Sequence, residues 1–121
     1  MSRITSAQLE SSRVVSGYVD FEAVVRVEFA PHEIGHLWEL SMQLREDDIR
    51  SDDDLGGPAR RNLTATNQEM TVKIAHRLRA KTVDTEWGDE AVYGVLTLRP
   101  LNPPPAFITS TARTGIEVVN V

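Results

Sequence analysis

The stretch Trp38-Glu39-Leu40-Ser41-Met42-Gln43-Leu44 alternates large apolar side chains with polar ones at every step. A period of two puts Trp38, Leu40, Met42 and Leu44 on one face and Glu39, Ser41 and Gln43 on the other, which predicts a half-buried β-strand. The same period recurs on both sides. Upstream, Phe21, Ala23, Val25, Val27 and Phe29 share a face opposite Glu22, Arg26 and Glu28, with Val24 the apolar exception. Downstream, Met70, Val72, Ile74, His76 and Leu78 oppose Thr71, Lys73, Arg77 and Arg79. Ala91 to Arg99 is apolar on both faces, as expected of a central strand covered on both sides.

Shorter segments rich in Thr, Val or Ile run from Ile4 to Leu9, Asn62 to Thr66, Phe107 to Ala112 and Ile116 to Val121. Turn-forming residues separate them at Ser16-Gly17, Gly56-Gly57-Pro58, Thr66-Asn67-Gln68, Trp87-Gly88-Asp89 and Asn102-Pro103-Pro104-Pro105. Together these predict an all-β chain: an antiparallel β-sandwich of about seven to eight strands. A small β-barrel is the alternative, because it uses the same strands and differs only in how the sheet edges are closed. The length of 121 residues suits a single β-sandwich domain, 1–121, with one core.

Composition narrows the function classes. With 40% hydrophobic and 26% charged residues the chain has enough apolar surface to fold. A net charge of -5 argues against nucleic acid as a partner, since phosphate binding needs concentrated positive charge. The first residues have no signal-peptide core, and no apolar run approaches the roughly 20 residues that span a bilayer. With zero cysteines the chain has no disulfide, thiolate ligand or thiol nucleophile. The expectation is a cytoplasmic protein that binds neither membrane nor nucleic acid.

His32-Glu33-Ile34-Gly35-His36 spells H-E-x-x-H, the string with which zincin metallopeptidases hold zinc on one helical face and aim the glutamate at water. A small zinc metallopeptidase, with His32 and His36 as ligands and Glu33 as general base, is therefore one reading. It requires an α-helix for the i, i+4 spacing and a third ligand. Pro31 suits a helix start, yet a helix would scatter Leu40, Met42 and Leu44 around its circumference. In the extended metzincin pattern Glu39 stands where glycine should be and Met42 where the third histidine should be. The other reading is a turn between two strands.

Acidic residues gather in two segments. Asp47, Asp48, Asp52, Asp53 and Asp54 form one, and Asp84, Glu86, Asp89 and Glu90 the other. Counting chain reversals from the strand that ends near Arg45 puts both segments at one end of an antiparallel sheet. Carboxylates converging there would repel one another, which a hard cation with oxygen ligands would relieve. Calcium, Ca2+, is thus the candidate cofactor, with Asp47, Asp48, Asp52, Asp53, Asp54, Asp84, Glu86 and Asp89 as the metal-ligand set. In general plan this is similar to the calcium-binding loops of C2-type sandwiches, although no C2 motif is present. The EF-hand spacing is absent, and a solvated acidic surface is the plainer reading.

Lys73, Arg77, Arg79 and Lys81 alternate along one strand face, readable as a stripe for an acidic partner or as edge charges that block aggregation. His76 falls in phase with Ile74 and Leu78, as a hydrogen-bonded core histidine would. Trp38 is in phase with the core, and Trp87 sits in a turn. No nucleophile elbow or phosphate-cradling glycine loop occurs. The leading expectation is a non-enzymatic β-sandwich binding module whose partner is another protein met at the acidic loop end. An accessory subunit pairing through a sheet edge is the third reading.

Overall fold

In the computed structural model, residues 2–48, 52–84, 89–102 and 107–119 are described. Nine strands are found among them: β1 (Arg3–Ser11), β2 (Tyr18–Glu28), β3 (Leu37–Glu46), β4 (Asp53–Asp54), β5 (Ala59–Thr64), β6 (Glu69–Arg79), β7 (Glu90–Pro100), β8 (Ser110–Arg113) and β9 (Glu117–Val119). Two short helical turns accompany them, a 3-10 turn at Pro31–Glu33 and α1 (Ala80–Val83). One sheet has the order β1-β2-β6. In the other, β3 and β7 are central, β4 and β5 both pair with β3, and β8 and β9 both pair with β7. All pairings are antiparallel. The architecture is a two-sheet sandwich, and each expected segment contains a strand, although the one expected from Phe107 begins only at Ser110 and residues 120–121 of the last lie outside the described residues.

Alternation decides what the sheets bury. Trp38, Leu40, Met42 and Leu44 of β3, Phe21, Ala23, Val25 and Val27 of β2, and Leu96 and Leu98 of β7 are all 0 or 1% exposed and face the inter-sheet space. Each Val, Leu, Met or Phe side chain among them contributes about 1.5–3 kcal/mol when fully removed from water. Trp38 is stacked on Phe107 with ring centroids 5.6 Å apart and meets Phe29 at 5.2 Å.

The edge strands of the larger sheet are interrupted rather than separate. Arg113 opposes Val95 while Glu117 opposes Val92, so one extra residue lies in between, a β-bulge. Thr114 fills it: its Oγ1 accepts from the Gly94 N–H at 2.9 Å and donates to the Gly115 carbonyl at 2.8 Å. Gly94 leaves room for Met42, since a Cβ there would stand 3.3 Å from Met42 Cγ and Sδ. On the opposite edge the Leu55 N–H continues the β3 ladder to the Leu44 carbonyl at 2.8 Å, and Leu55 is buried. The chain then swings out through Gly56, at φ +68°, before rejoining β3 as β5. An edge strand and a core leucine therefore lie between Asp52 and Pro58.

Candidate functional site

At the end of the sandwich where β3 finishes and β7 begins, several connections come together. The Asp47 N–H donates to the Ala91 carbonyl at 2.8 Å, tying the segment after β3 to the start of β7. The Ser11 N–H donates to the Glu117 carboxylate at 2.8 Å, and Glu117 lies opposite Val92, so the β1–β2 hairpin turn opens at the same end. The Ala80 N–H bonds the Gly17 carbonyl at 2.9 Å, bringing α1 against that turn. Both acidic segments thus share one end with the hairpin of Ser12 to Gly17.

The aspartates at this end are organised by cations and a phenol. Arg45 and Tyr93 are direct cross-strand partners on the outward face of the larger sheet. Arg45 Nε donates to Asp54 Oδ1 at 2.9 Å, and its Nη2 donates to the Asp52 carbonyl at 2.9 Å. The Tyr93 hydroxyl donates to Asp52 Oδ2, and Asp52 Oδ1 accepts from the Asp48 N–H at 3.3 Å. Arg113 lies over the Tyr93 ring at 3.9 Å, a cation–π contact. The hydrogen bond from Tyr93 holds the Asp52 carboxyl below its ordinary value; partial desolvation opposes this, and the Asp48 N–H and the charges of Arg45 and Arg113 add to it. The same bond, with burial behind it, pushes the Tyr93 phenol up.

The eight residues expected to hold calcium are placed as follows. Asp52 and Asp54 take up Tyr93 and Arg45, Asp48 contributes its N–H to Asp52, and Asp53 is exposed on β4. Asp47 and Asp89 are exposed, Asp84 is exposed at the end of α1, and Glu86 lies outside the described residues. Among the described residues no group of three or more His, Asp or Glu side chains is arranged to hold a metal ion. Arg45, Tyr93 and Arg113 were missed by the sequence reading. Their one signal was phase, since Arg45 and Tyr93 stand on the outward parity of strands whose other parity is core.

The H-E-x-x-H string does not form the zincin helix. Pro31–Glu33 makes a single 3-10 turn, Gly35 has φ +89°, and β3 pairing begins at Leu37. An α-helix over His32 to His36 would break the bond from the Gly35 N–H to the Ala65 carbonyl, 2.7 Å long. Glu33 points inward and is 1% exposed, where its carboxylate accepts from the Ser2 N–H at 3.0 Å and the Ala30 N–H at 2.7 Å. His32 and His36 pack on Phe107 with ring centroids 5.6 and 4.9 Å apart. Glu33 is a clasp on backbone amides rather than a base aimed at water. His76 is half-buried in phase with Ile74 and Leu78, with Nε2 3.0 Å from the Gly57 carbonyl. Trp38 is core, and Trp87 lies outside the described residues.

No protein-family model and no curated protein matches this chain. Its fold does have solved neighbours. A candidate beta-galactosidase from Bacteroides fragilis superposes with a TM-score of 0.65 at 11% identity, covering 99% of this chain and 17% of that one. A bacterial adhesin from Mobiluncus mulieris, with intramolecular disulfide, isopeptide and ester cross-links, gives 0.59 at 13% identity over 99% of this chain and 49% of the adhesin. A second crystal form of it gives 0.51 at 12% identity over 97% and 50%. The likeness is one of fold. The chain spans less than one fifth of the first neighbour and about half of the second.

Proposed function

We propose that this protein is a non-enzymatic β-sandwich interaction module, and that it meets a protein partner with the end carrying the Ser12 to Gly17 hairpin and the Asp52–Asp54 segment. One observation carries the reading. The Arg45, Asp52, Tyr93 and Arg113 network fixes a loop segment to the rigid sheet face, beside a hairpin whose apolar tip is open to water. Val15 is 66% exposed, with Val14 and Tyr18 at 38% each. Loops held by a rigid scaffold, with apolar anchors ringed by charge, are how sandwich domains present recognition surfaces. The adhesin neighbour supports the same class by analogy of fold.

In this reading the loop end needs no cation to be ordered, because Arg45, Arg113 and Tyr93 balance the two aspartates that face them. The test is a Val14→Ser, Val15→Ser, Tyr18→Ser triple variant, with a Leu37→Ser, Ile108→Ser double variant at the opposite end as control. Gel filtration of the source cell extract should show the parent in a complex larger than its own monomer; the triple variant should lose that complex while keeping its melting temperature, and the control should keep both. Loss in the control alone, or in neither, overturns the assignment of the surface.

A further inference from the structure

The structure adds two arginines to the basic stripe of β6. β5 runs beside β6 from the other sheet, and Arg61 Nη1 donates to the Lys73 carbonyl at 2.5 Å. Gly57, at the start of the same segment, meets His76. One flank of the sandwich therefore carries Arg60, Arg61, Lys73, Arg77 and Arg79, with Lys81 just beyond on α1. These are six of the 13 Lys and Arg residues of a chain with net charge -5.

Their charges are largely unanswered. Arg77 pairs with Asp20, its cross-strand neighbour, at 2.7 Å. Among the described residues the side chains of Arg60, Lys73, Arg79 and Lys81 have no carboxylate within ion-pair distance. All four are exposed. Guarding a sheet edge explains charge on β6 itself. It does not explain Arg60, which lies on the outward parity of β5 opposite Ser41, nor Lys81, which follows the strand.

We propose that the β5–β6 flank binds an acidic segment of a partner protein in extended conformation. Lys73, Arg77 and Arg79 share one face of β6, so their spacing is about 14 Å and then about 7 Å. An extended chain with alternating carboxylates repeats at the same roughly 7 Å. Carboxylates border the flank, with Glu22 opposite Ala75 and Glu69 opposite Glu28 on the adjoining sheet face. A broad polyanion such as a DNA duplex would lie across these carboxylates, whereas one extended strand along β6 meets fewer of them. The Arg79 end of this surface adjoins the hairpin, with Tyr18 opposite Arg79 and Arg77 over the Tyr18 ring, but the proposal rests on the charges of β5 and β6 and not on the proposed function.

The test uses the full chain and a fluorescein-labelled peptide of alternating Glu and Thr, read by anisotropy. Binding is saturable at low salt and weakens roughly tenfold on raising ionic strength from about 0.05 M to about 0.3 M. Lys73→Glu with Arg79→Glu weakens it by roughly tenfold or more, Arg60→Ala by a smaller factor, and Arg3→Glu, on the far edge strand β1, by less than about twofold. Circular dichroism melts confirm that each variant is folded. Absence of saturable binding overturns the proposal, as does equal binding of a Lys-Thr peptide or indifference to the Lys73 and Arg79 reversals. Duplex DNA or phosphatidylserine vesicles binding as tightly as the peptide would also overturn it, replacing a strand site with a general polyanion or membrane surface. If the Lys73→Thr, Arg79→Thr protein aggregates and the parent binds no peptide, the charges serve only to guard the edge.

Discussion

Replacing Glu33 with alanine separates a structural carboxylate from a catalytic one. In the fold its two oxygens satisfy the Ser2 and Ala30 amides, at 3.0 and 2.7 Å, from a position 1% exposed. Alanine leaves both donors without this acceptor, at about 1–3 kcal/mol each, so the total loss is about 2–6 kcal/mol. For a domain of this size each kcal/mol lowers the melting temperature by about 3–6 °C. Glu33→Ala should therefore melt at least about 6 °C below the parent, and about 18 °C below it at mid-range, followed by circular dichroism at neutral pH. Glu33→Gln keeps one acceptor oxygen and falls about half as far. His36→Ala removes only an edge contact with Phe107, worth about 0.5–1.5 kcal/mol. The reasoning is refuted if Glu33→Ala melts within about 3 °C of the parent, or if His36→Ala is the more damaging change.

Further outcomes follow from the same geometry. Thr114→Val leaves the buried Gly94 N–H unpaired and costs about 1–3 kcal/mol in urea unfolding. Gly56→Ala places a Cβ 3.0 Å from Leu78 Cδ2 at φ +68°, so it is destabilising by about 1–3 kcal/mol, whereas Gly57→Ala meets nothing within 4 Å and is near neutral. Asp52, whose folded carboxyl lies below its ordinary 3.8, stabilises the fold above that value, and the contribution is lost as pH falls through the lower folded value. Tyr93, raised from 10.0, stabilises below that value and loses its contribution as pH rises through the higher folded one. Tyr93→Phe should therefore flatten both the acid and alkaline limbs of a melting-temperature profile. Removing divalent cations with EDTA should leave the melting temperature unchanged, and a rise specific to Ca2+ would show instead that the acidic loops hold an ion.

Much of this fold could be read from the chain because burial in a sandwich follows strand parity. Trp38 to Leu44 and Phe21 to Phe29 announce their buried faces residue by residue, and the number of reversals correctly set which connections share an end. Parity does not give register. That Arg45 stands opposite Tyr93, close enough to gather Asp52 and Asp54, depends on how β3 and β7 slide against each other, and no local pattern encodes it. The carboxylates were visible as a cluster, while the groups that answer them were hidden among outward-facing positions of two other strands. The Asp53–Asp54 strand escaped notice because its residues are polar; it exists because β3 offers an unpaired edge and Leu55 anchors the chain beyond it. His32 to His36 shows the reverse failure, a motif legible as letters whose backbone, with Gly35 left-handed, denies it the helix its chemistry requires.

The central claim is that recognition happens at the hairpin and acidic-loop end. Its most direct test places a photo-crosslinking amino acid, one variant at a time, at Val15, Asp53, Leu37 and Ile108, with irradiation in the source cells and a mass readout of each adduct. The account predicts a discrete protein adduct from Val15 and Asp53 and none from Leu37 or Ile108. Adducts from Leu37 or Ile108, with Val15 and Asp53 silent, would contradict it and move the working surface elsewhere on the sandwich.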